Sequence, residues 1–117
     1  MSYILGIGSI MYKYRCLITR VLDADTFDCV VDLGFRMSTK QRLRLAGVQA
    51  PELSTNSRKG YIAKQLVEDI LETVDYKVQI HTEKTGSFGR WLATVYIDGI
   101  SLNKMMLDEG IAMPYKK

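Results

Sequence analysis

The sequence is poor in the residues that most often anchor metal or covalent chemistry. It holds one histidine, His81, and two cysteines, Cys16 and Cys29, among 117 residues. A lone histidine cannot build a multi-histidine metal centre. No Cys-x-x-Cys or paired Cys/His spacing is present, so a metal pair at the cysteines is the least favoured reading, below a disulfide. Both cysteines lie among apolar residues of β-prone runs and read as reduced core thiols, with a disulfide as the lesser alternative. His81 reads as structural or surface. Long apolar runs are absent too, and none approaches the roughly 20 residues of a membrane helix. The mildly apolar start, Met1 to Met11, carries Ile4, Leu5, Ile7 and Ile10. It lacks a basic leader, and no small-residue cleavage site follows a long apolar core, so it does not read as a signal peptide. The expectation is a cytoplasmic protein with no membrane partner. Charge of one sign is also not abundant. A net charge of +3 permits a polyanionic partner without demanding one.

What is present fits one soluble domain spanning residues 1–117. A chain of this size can bury on the order of two-thirds of its unfolded surface, so a small core is feasible without staples. Tyr14 to Leu22 is β-prone and is followed by a turn at Asp23-Ala24-Asp25. Phe27, Cys29, Val31 and Leu33 then alternate with polar partners, the period-two mark of a half-buried strand, which Gly34 ends. A third strand runs from Gln41 to Ala46, with Leu43 and Leu45 on one face and Arg42 and Arg44 on the other. Asn56 and Ser57 are candidate caps for a helix starting near Arg58. Ile62, Leu66, Ile70 and Val74, flanked by Ala63, Val67 and Leu71, give it a broad apolar face. Gly60 weakens its first turn. Val78 and Ile80 mark a fourth strand, Thr85-Gly86-Ser87 a loop, and Trp91 to Ile97 a fifth strand. After the turn at Asp98-Gly99, Ser101 can cap a short helix that Gly110 ends. The tail from Ile111 to Lys117 is too short for another helix. The order predicts a mainly β fold with helices (α+β): a five-stranded barrel of the OB type. One helix lies between strands three and four, and a short helix follows strand five.

Four charges stand out. Asp25 closes the first turn, where aspartate is commonly a turn residue. Arg44 shares the polar face of strand three with Arg42, a basic stripe that points weakly to phosphate. Glu52 follows Pro51 in a loop, and Arg90 follows Gly89 at the start of strand five. Each alone reads as an ordinary surface or turn charge.

Together, in order and spacing, the segments are more specific. They are Val21-Leu22-Asp23-Ala24-Asp25-Thr26-Phe27, Arg42-Leu43-Arg44-Leu45-Ala46-Gly47-Val48-Gln49-Ala50-Pro51-Glu52, and Gly60 with Ala63. Phe88-Gly89-Arg90-Trp91-Leu92-Ala93, Gly99, Leu102-Asn103 and Gly110-Ile111-Ala112 follow. This series resembles the staphylococcal nuclease (thermonuclease) family from about Tyr14 to Ala112. The resemblance implies an OB-fold nuclease that hydrolyses phosphodiesters of DNA and RNA with Ca²⁺. By the same resemblance Asp25 is a metal-ligand aspartate, and Ala50 gives its main-chain carbonyl to the metal. Arg44 and Arg90 bind phosphate, Glu52 activates or orients the attacking water, and Asp23 is an acid behind the ligands. The partner implied is nucleic acid, with single-stranded DNA or RNA foremost. The chemistry suits these types. A hard cation on oxygen ligands offsets phosphate charge, guanidiniums hold the equatorial oxygens, and a carboxylate takes a proton from water.

The sequence departs from the family pattern at Gln49, where a second metal-ligand aspartate is usual. Glutamine keeps a carbonyl oxygen but removes one negative charge, and Ca²⁺ affinity depends on ligand charge. Phe88 stands where tyrosine is common, and the chain ends soon after Tyr115, without the third helix of longer relatives. Two other readings compete with a metal-dependent nuclease. One is a weak or inactive OB module that binds nucleic acid through a basic groove and stacking aromatics, with Tyr12, Tyr14, Tyr61, Phe88 and Trp91 available. The other is a protein-interaction module that keeps only the fold. Oligomeric state is left open.

Overall fold

The computed structural model describes residues 2–6, 9–54, 57–83 and 90–115, with side chains over 12–54, 57–82 and 91–115. The elements run in order β1 (Ser2–Gly6), β2 (Ser9–Asp23), β3 (Thr26–Gly34), β4 (Met37–Leu45), β5 (Val48–Gln49), α1 (Ser57–Glu72), β6 (Lys77–Glu83), β7 (Arg90–Ile97), β8 (Ile100–Ser101), α2 (Leu102–Asp108) and β9 (Met113–Pro114). Asn56, the loop at 85–87 and Phe88 lie outside the described residues. No helix among the described residues is long and apolar enough to cross a membrane.

Five strands close on themselves. β2 pairs with β3, β3 with β4, β4 with β7, β7 with β6, and β6 returns to β2. All these pairings are antiparallel except β4 with β7. The five-strand order, the helix after the third of them and the short helix after the fifth match the expected α+β architecture. β1 is an addition. Residues expected only to be mildly apolar pair as a hairpin arm with the start of β2.

Side-chain alternation explains why the ring closes around one core. Phe27, Cys29 and Val31 of β3 and Leu43 and Leu45 of β4 are buried, as a period of two requires. β2 breaks the period. Cys16 and Ile18 point inward, and so does Val21, because the pairing slips between Ile18 and Arg20. This bulge turns the last residues of β2 to the other phase and sets Arg20 opposite Asp28. The cysteines are free and buried, as expected.

α1 packs on β2 through a narrower stripe than the sequence suggests. Ala63, Val67 and Leu71 are buried, whereas Ile62 and Leu66 stay exposed, because only one side of the helix is covered. Gly60 is in that stripe for a steric reason. A Cβ there would lie 2.8 Å from the main-chain carbon of Glu52 and the nitrogen of Leu53. The helix therefore sits directly on the loop that carries Glu52, which only glycine permits.

α2 is capped at both ends. The Ser101 hydroxyl accepts from the Lys104 N–H. Gly110, at φ 73°, ends the helix with paired bonds from the Gly110 N–H to Leu107 and from the Ile111 N–H to Met106. The helix presents buried Asn103 to the seam where β4 leaves β7. Its Nδ2 donates to the carbonyls of Ala46 and Ala93, at 2.8 and 3.2 Å, and its Oδ1 accepts from the Val95 N–H at 3.0 Å. β9 pairs with β5, and the Tyr115 N–H donates to the Gly47 carbonyl, so the tail folds back as an extended segment.

Two outcomes follow from this packing. Asn103→Ala strands the Val95 N–H and the Ala46 carbonyl and is expected to cost about 2–4 kcal/mol in urea unfolding. Gly60→Ala gains about 1 kcal/mol of helix propensity, which the clash with the Glu52 loop, about 1–3 kcal/mol, outweighs. A raised urea midpoint for Gly60→Ala would contradict that close approach.

Candidate active site

Burying an aspartate is costly unless donors surround the carboxylate. Asp25, in the β2–β3 turn, is 2% exposed. Its Oδ2 accepts from the Ala50 N–H at 2.9 Å and lies 3.4 Å from Nη1 of Arg44. Its Oδ1 accepts from the Thr26 hydroxyl at 3.1 Å. The main chain adds a further tie, because the Leu45 N–H donates to the Asp25 carbonyl. The turn, the end of β4 and the loop after β5 are thus bound to one side chain.

Arg44 points from the outer face of β4 into this corner. Nη1 also donates to the Leu45 carbonyl at 2.9 Å, and Nη2 donates to Oε1 of Gln49 at 3.0 Å. The guanidinium carbon lies 5.5 Å from the ring centre of Tyr115, a cation–π distance. Tyr115 arrives there because β9 pairs with β5. The folded-back tail thus lines the corner at this point, a contact that no local pattern in the sequence announces.

The loop from Gln49 to Glu52 hangs from two acids. The Ala50 N–H is on Asp25, and the Leu53 N–H donates to Oδ1 of Asp23 at 3.0 Å. Asp23 therefore holds the loop, and Glu52 sits between those anchors. The Ser54 hydroxyl reaches Oε2 of Glu52 at 3.5 Å, a long contact. Arg90 opens β7 with its Cα in register with Arg42, and the next outward position, Leu92, is in register with Arg44. The Arg90 side chain lies outside the described residues.

The candidate metal donors at this corner are oxygens: the Asp25 carboxylate, the Gln49 amide and the Ala50 carbonyl. Their type suits a hard cation. Their charge is low, with one carboxylate opposite one guanidinium. The Gln49 Oε1 is turned to Arg44, and its Nε2 approaches the Ala50 carbonyl at 3.5 Å. Among the described residues no group of three or more His, Cys, Asp or Glu is arranged to hold a metal ion. A cation here has to use amide and main-chain oxygens as well as Asp25.

Other candidates are placed elsewhere. Tyr14 and Trp91 are half-buried against the core, with ring centres 5.9 Å apart, and Tyr12 stacks on Tyr14. His81 packs on Tyr96 at 4.3 Å. Burial, with Lys13 nearby, pushes the His81 pKa below 6.5 and favours the neutral ring. The second residue of the basic stripe, Arg42, forms a two-pronged ion pair with Asp28, at 2.8 and 3.3 Å. That pairing needs the cross-strand register and is not legible in either segment alone. A cleft of about 530 Å³, lined in part by Arg15, Leu17, Asp32, Lys77 and Tyr96, lies toward the other end of β3 from Asp25. Its mixed charges single out no ligand.

Comparison with known proteins bears on this arrangement. The family model described as staphylococcal nuclease homologue matches residues 42–117, which include Arg44, Gln49, Ala50, Glu52 and Arg90. The chain is 27% identical over 107 residues to an uncharacterized endonuclease of Haemophilus influenzae, covering 90% of this chain and 54% of that protein. It is 28% identical over 96 residues to a probable staphylococcal-like nuclease of Oryza sativa subsp. japonica, covering 74% of this chain and 28% of that protein. An uncharacterized 38.1 kDa protein of Capnoides sempervirens is 27% identical over 97 residues, covering 74% of this chain and 27% of its own length. The chain thus spans about half or less of the length of these relatives. With well over half of its residues matched by the family model, on the ring that brings Asp25 to Arg44 and the Gln49–Glu52 loop, the chain belongs to the staphylococcal nuclease homologue family.

Proposed function

We propose that this chain is a metal-dependent nuclease that hydrolyses phosphodiester bonds of DNA or RNA, with single strands as the preferred substrate. The observation that carries the reading is the buried Asp25, held by Arg44 and by the N–H of Ala50, two residues before Glu52. A carboxylate at 2% exposure is costly to bury, and here it ties together the segments that carry Arg44, Ala50 and Glu52. The names of the relatives, a nuclease and an endonuclease, support the same class.

Each residue has a part. Asp25, Gln49 and Ala50 would hold a divalent cation, Ca²⁺ by family resemblance. When bound, that ion supplies positive charge to the non-bridging phosphate oxygens. Arg44 donates to one of those oxygens, exchanging a neutral carbonyl partner for a charged one, and Arg90 donates to a second. Glu52 accepts a proton from water as the water oxygen bonds to phosphorus. The phosphorus–oxygen bond to the departing nucleoside breaks, and solvent protonates that oxygen. Tyr115 shields one side of Arg44, which strengthens its electrostatic grip.

A second reading has one observation in its favour. With Gln49 turned to Arg44, the corner is satisfied without a cation. That would suit a module that binds nucleic acid without cutting it.

Two measurements separate these readings. Purified protein is assayed on labelled single-stranded DNA and RNA in Ca²⁺, Mg²⁺, Mn²⁺ or chelator. Cleavage is expected only with metal, and Glu52→Gln is expected to slow it by about 10²–10⁴-fold. Undiminished cleavage by that variant removes Glu52 from the chemistry. Calorimetric titration of Gln49→Asp with Ca²⁺ is expected to show tighter binding than the parent, because a carboxylate replaces an amide. No gain in either affinity or rate would take the metal away from this corner.

A further inference from the structure

The outer face of the ring carries exposed basic residues, Arg20, Lys40 and Arg42, that the proposed chemistry does not use. Strand register lays Arg20, Asp28, Arg42 and Arg90 side by side across β2, β3, β4 and β7. Thr26, Arg44 and Leu92 form the next row on one side, and Lys40 opposite Val30 lies on the other. Along β4 alone, Lys40, Arg42 and Arg44 therefore succeed one another on one face. They are two residues apart, about 6.6 Å per step, the order of the distance between neighbouring phosphates of an extended strand. Arg20, Lys40 and Arg42 are exposed. The acid amid these rows is Asp28, whose carboxylate takes Nε and Nη2 of Arg42 in the two-pronged geometry that a phosphate also offers. Arg42 and, more weakly, Arg20 hold the Asp28 carboxyl below its usual range, so both guanidiniums act on one point.

Resting on the reading of the site as a nuclease, we propose that this face is a binding track for the single strand flanking the scissile phosphate. Arg42, Lys40 and Arg20 hold its backbone, and Asp28 occupies Arg42 as an internal phosphate mimic until the strand displaces it. The exchange is feasible because the pair is exposed, with side chains 48% and 31% accessible. Exposed ion pairs contribute little to stability, so breaking this one costs little. The strand gains the counterion release that drives backbone binding. The track reads no bases. It extends the footprint away from Arg44 and makes affinity depend on substrate length and salt.

The test measures binding in chelator, where no cleavage competes. A fluorescein-labelled oligothymidylate is titrated by anisotropy over a range of KCl concentrations. For a single strand, each phosphate that the protein no longer neutralises makes the slope of log affinity against log salt shallower by about 0.7. Arg42→Gln is expected to flatten the slope by about that much and to weaken binding on the order of threefold, and Arg20→Gln/Arg42→Gln to flatten it by about twice as much. Arg42→Lys keeps the charge and should keep the slope. Asp28→Asn should act in the opposite direction and tighten binding on the order of threefold, because it frees Arg42 and removes a like charge. In the cleavage assay the double variant's loss should be larger on a long oligonucleotide than on a dinucleotide.

An unchanged slope in the double variant overturns the track, and so does weakening by Asp28→Asn, which would mark the pair as structural. Equal competition by polyglutamate would assign the face to acidic protein and overturn it too. These failures are distinct from failure of the nuclease reading. Binding with the expected slopes but no cleavage in any metal would remove the chemistry and leave the track. Cleavage abolished in Glu52→Gln but a salt slope unmoved in Arg20→Gln/Arg42→Gln would do the reverse.

Discussion

The carboxylate of Asp25 is the constraint on which the candidate site depends. An aspartate removed from water at 2% exposure must be surrounded by donors. The donors it finds come from three separate places: Thr26 beside it, Arg44 at the end of β4, and the Ala50 N–H after β5. Satisfying one buried charge therefore fixes how a turn, a strand end and a loop meet. The same requirement carries outward. With Ala50 pinned on Asp25 and Leu53 on Asp23, the intervening Pro51 and Glu52 have little freedom left. α1 closes the loop from behind by bringing Gly60 against its main chain. The position of Glu52 is thus a consequence of packing and of two carboxylates that bind its neighbours' main-chain N–H groups.

Gln49 alters the charge at this corner more than its shape. An aspartate there would set a second negative charge near Asp25, and the pair would call for a cation. With glutamine, one carboxylate faces one guanidinium, and the remaining donors and acceptors are neutral. Arg44 collects the benefit: a main-chain carbonyl, an amide oxygen, the edge of the Asp25 carboxylate and the Tyr115 ring all converge on it. An arginine held this way is pre-oriented, so the phosphate contact proposed for it costs little further side-chain entropy. Its neutral partners are also easier to exchange for phosphate than a second carboxylate would be.

The parts of the molecule legible in the sequence are those governed by local rules. Phe27, Cys29 and Val31 fall inward because a strand alternates. Ser101 caps and Gly110 ends α2 through their own hydroxyl and backbone freedom. The order of Asp25, Arg44, Glu52 and Arg90 shows through family resemblance. What could not be read depends on register and tertiary approach. The bulge that turns Val21 inward and sets Arg20 beside Asp28 is a pairing event with no composition mark. β9 is too short to register as a strand, so Tyr115 over Arg44 is invisible until β5 pairs with it. Gly60 looks like a weak helix residue until the loop beneath it is seen. The apolar breadth of α1 misleads because periodicity reports what could be buried, whereas the sheet decides what is.

The two arginine–aspartate pairs of β4 show why distance alone does not rank such interactions. Arg42 and Asp28 approach to 2.8 Å, Arg44 and Asp25 only to 3.4 Å. The longer pair is the one the fold depends on. Its carboxylate is 3% exposed, so removing Arg44 would leave a buried charge with fewer donors, and water is not at hand to replace them. The shorter pair stands in solvent, where water and salt compete with it continuously. A buried pair of this kind positions, and an exposed pair exchanges. One strand, two residues apart, therefore carries an arginine built into the corner's frame and another whose aspartate partner is open to exchange, as the proposed track requires.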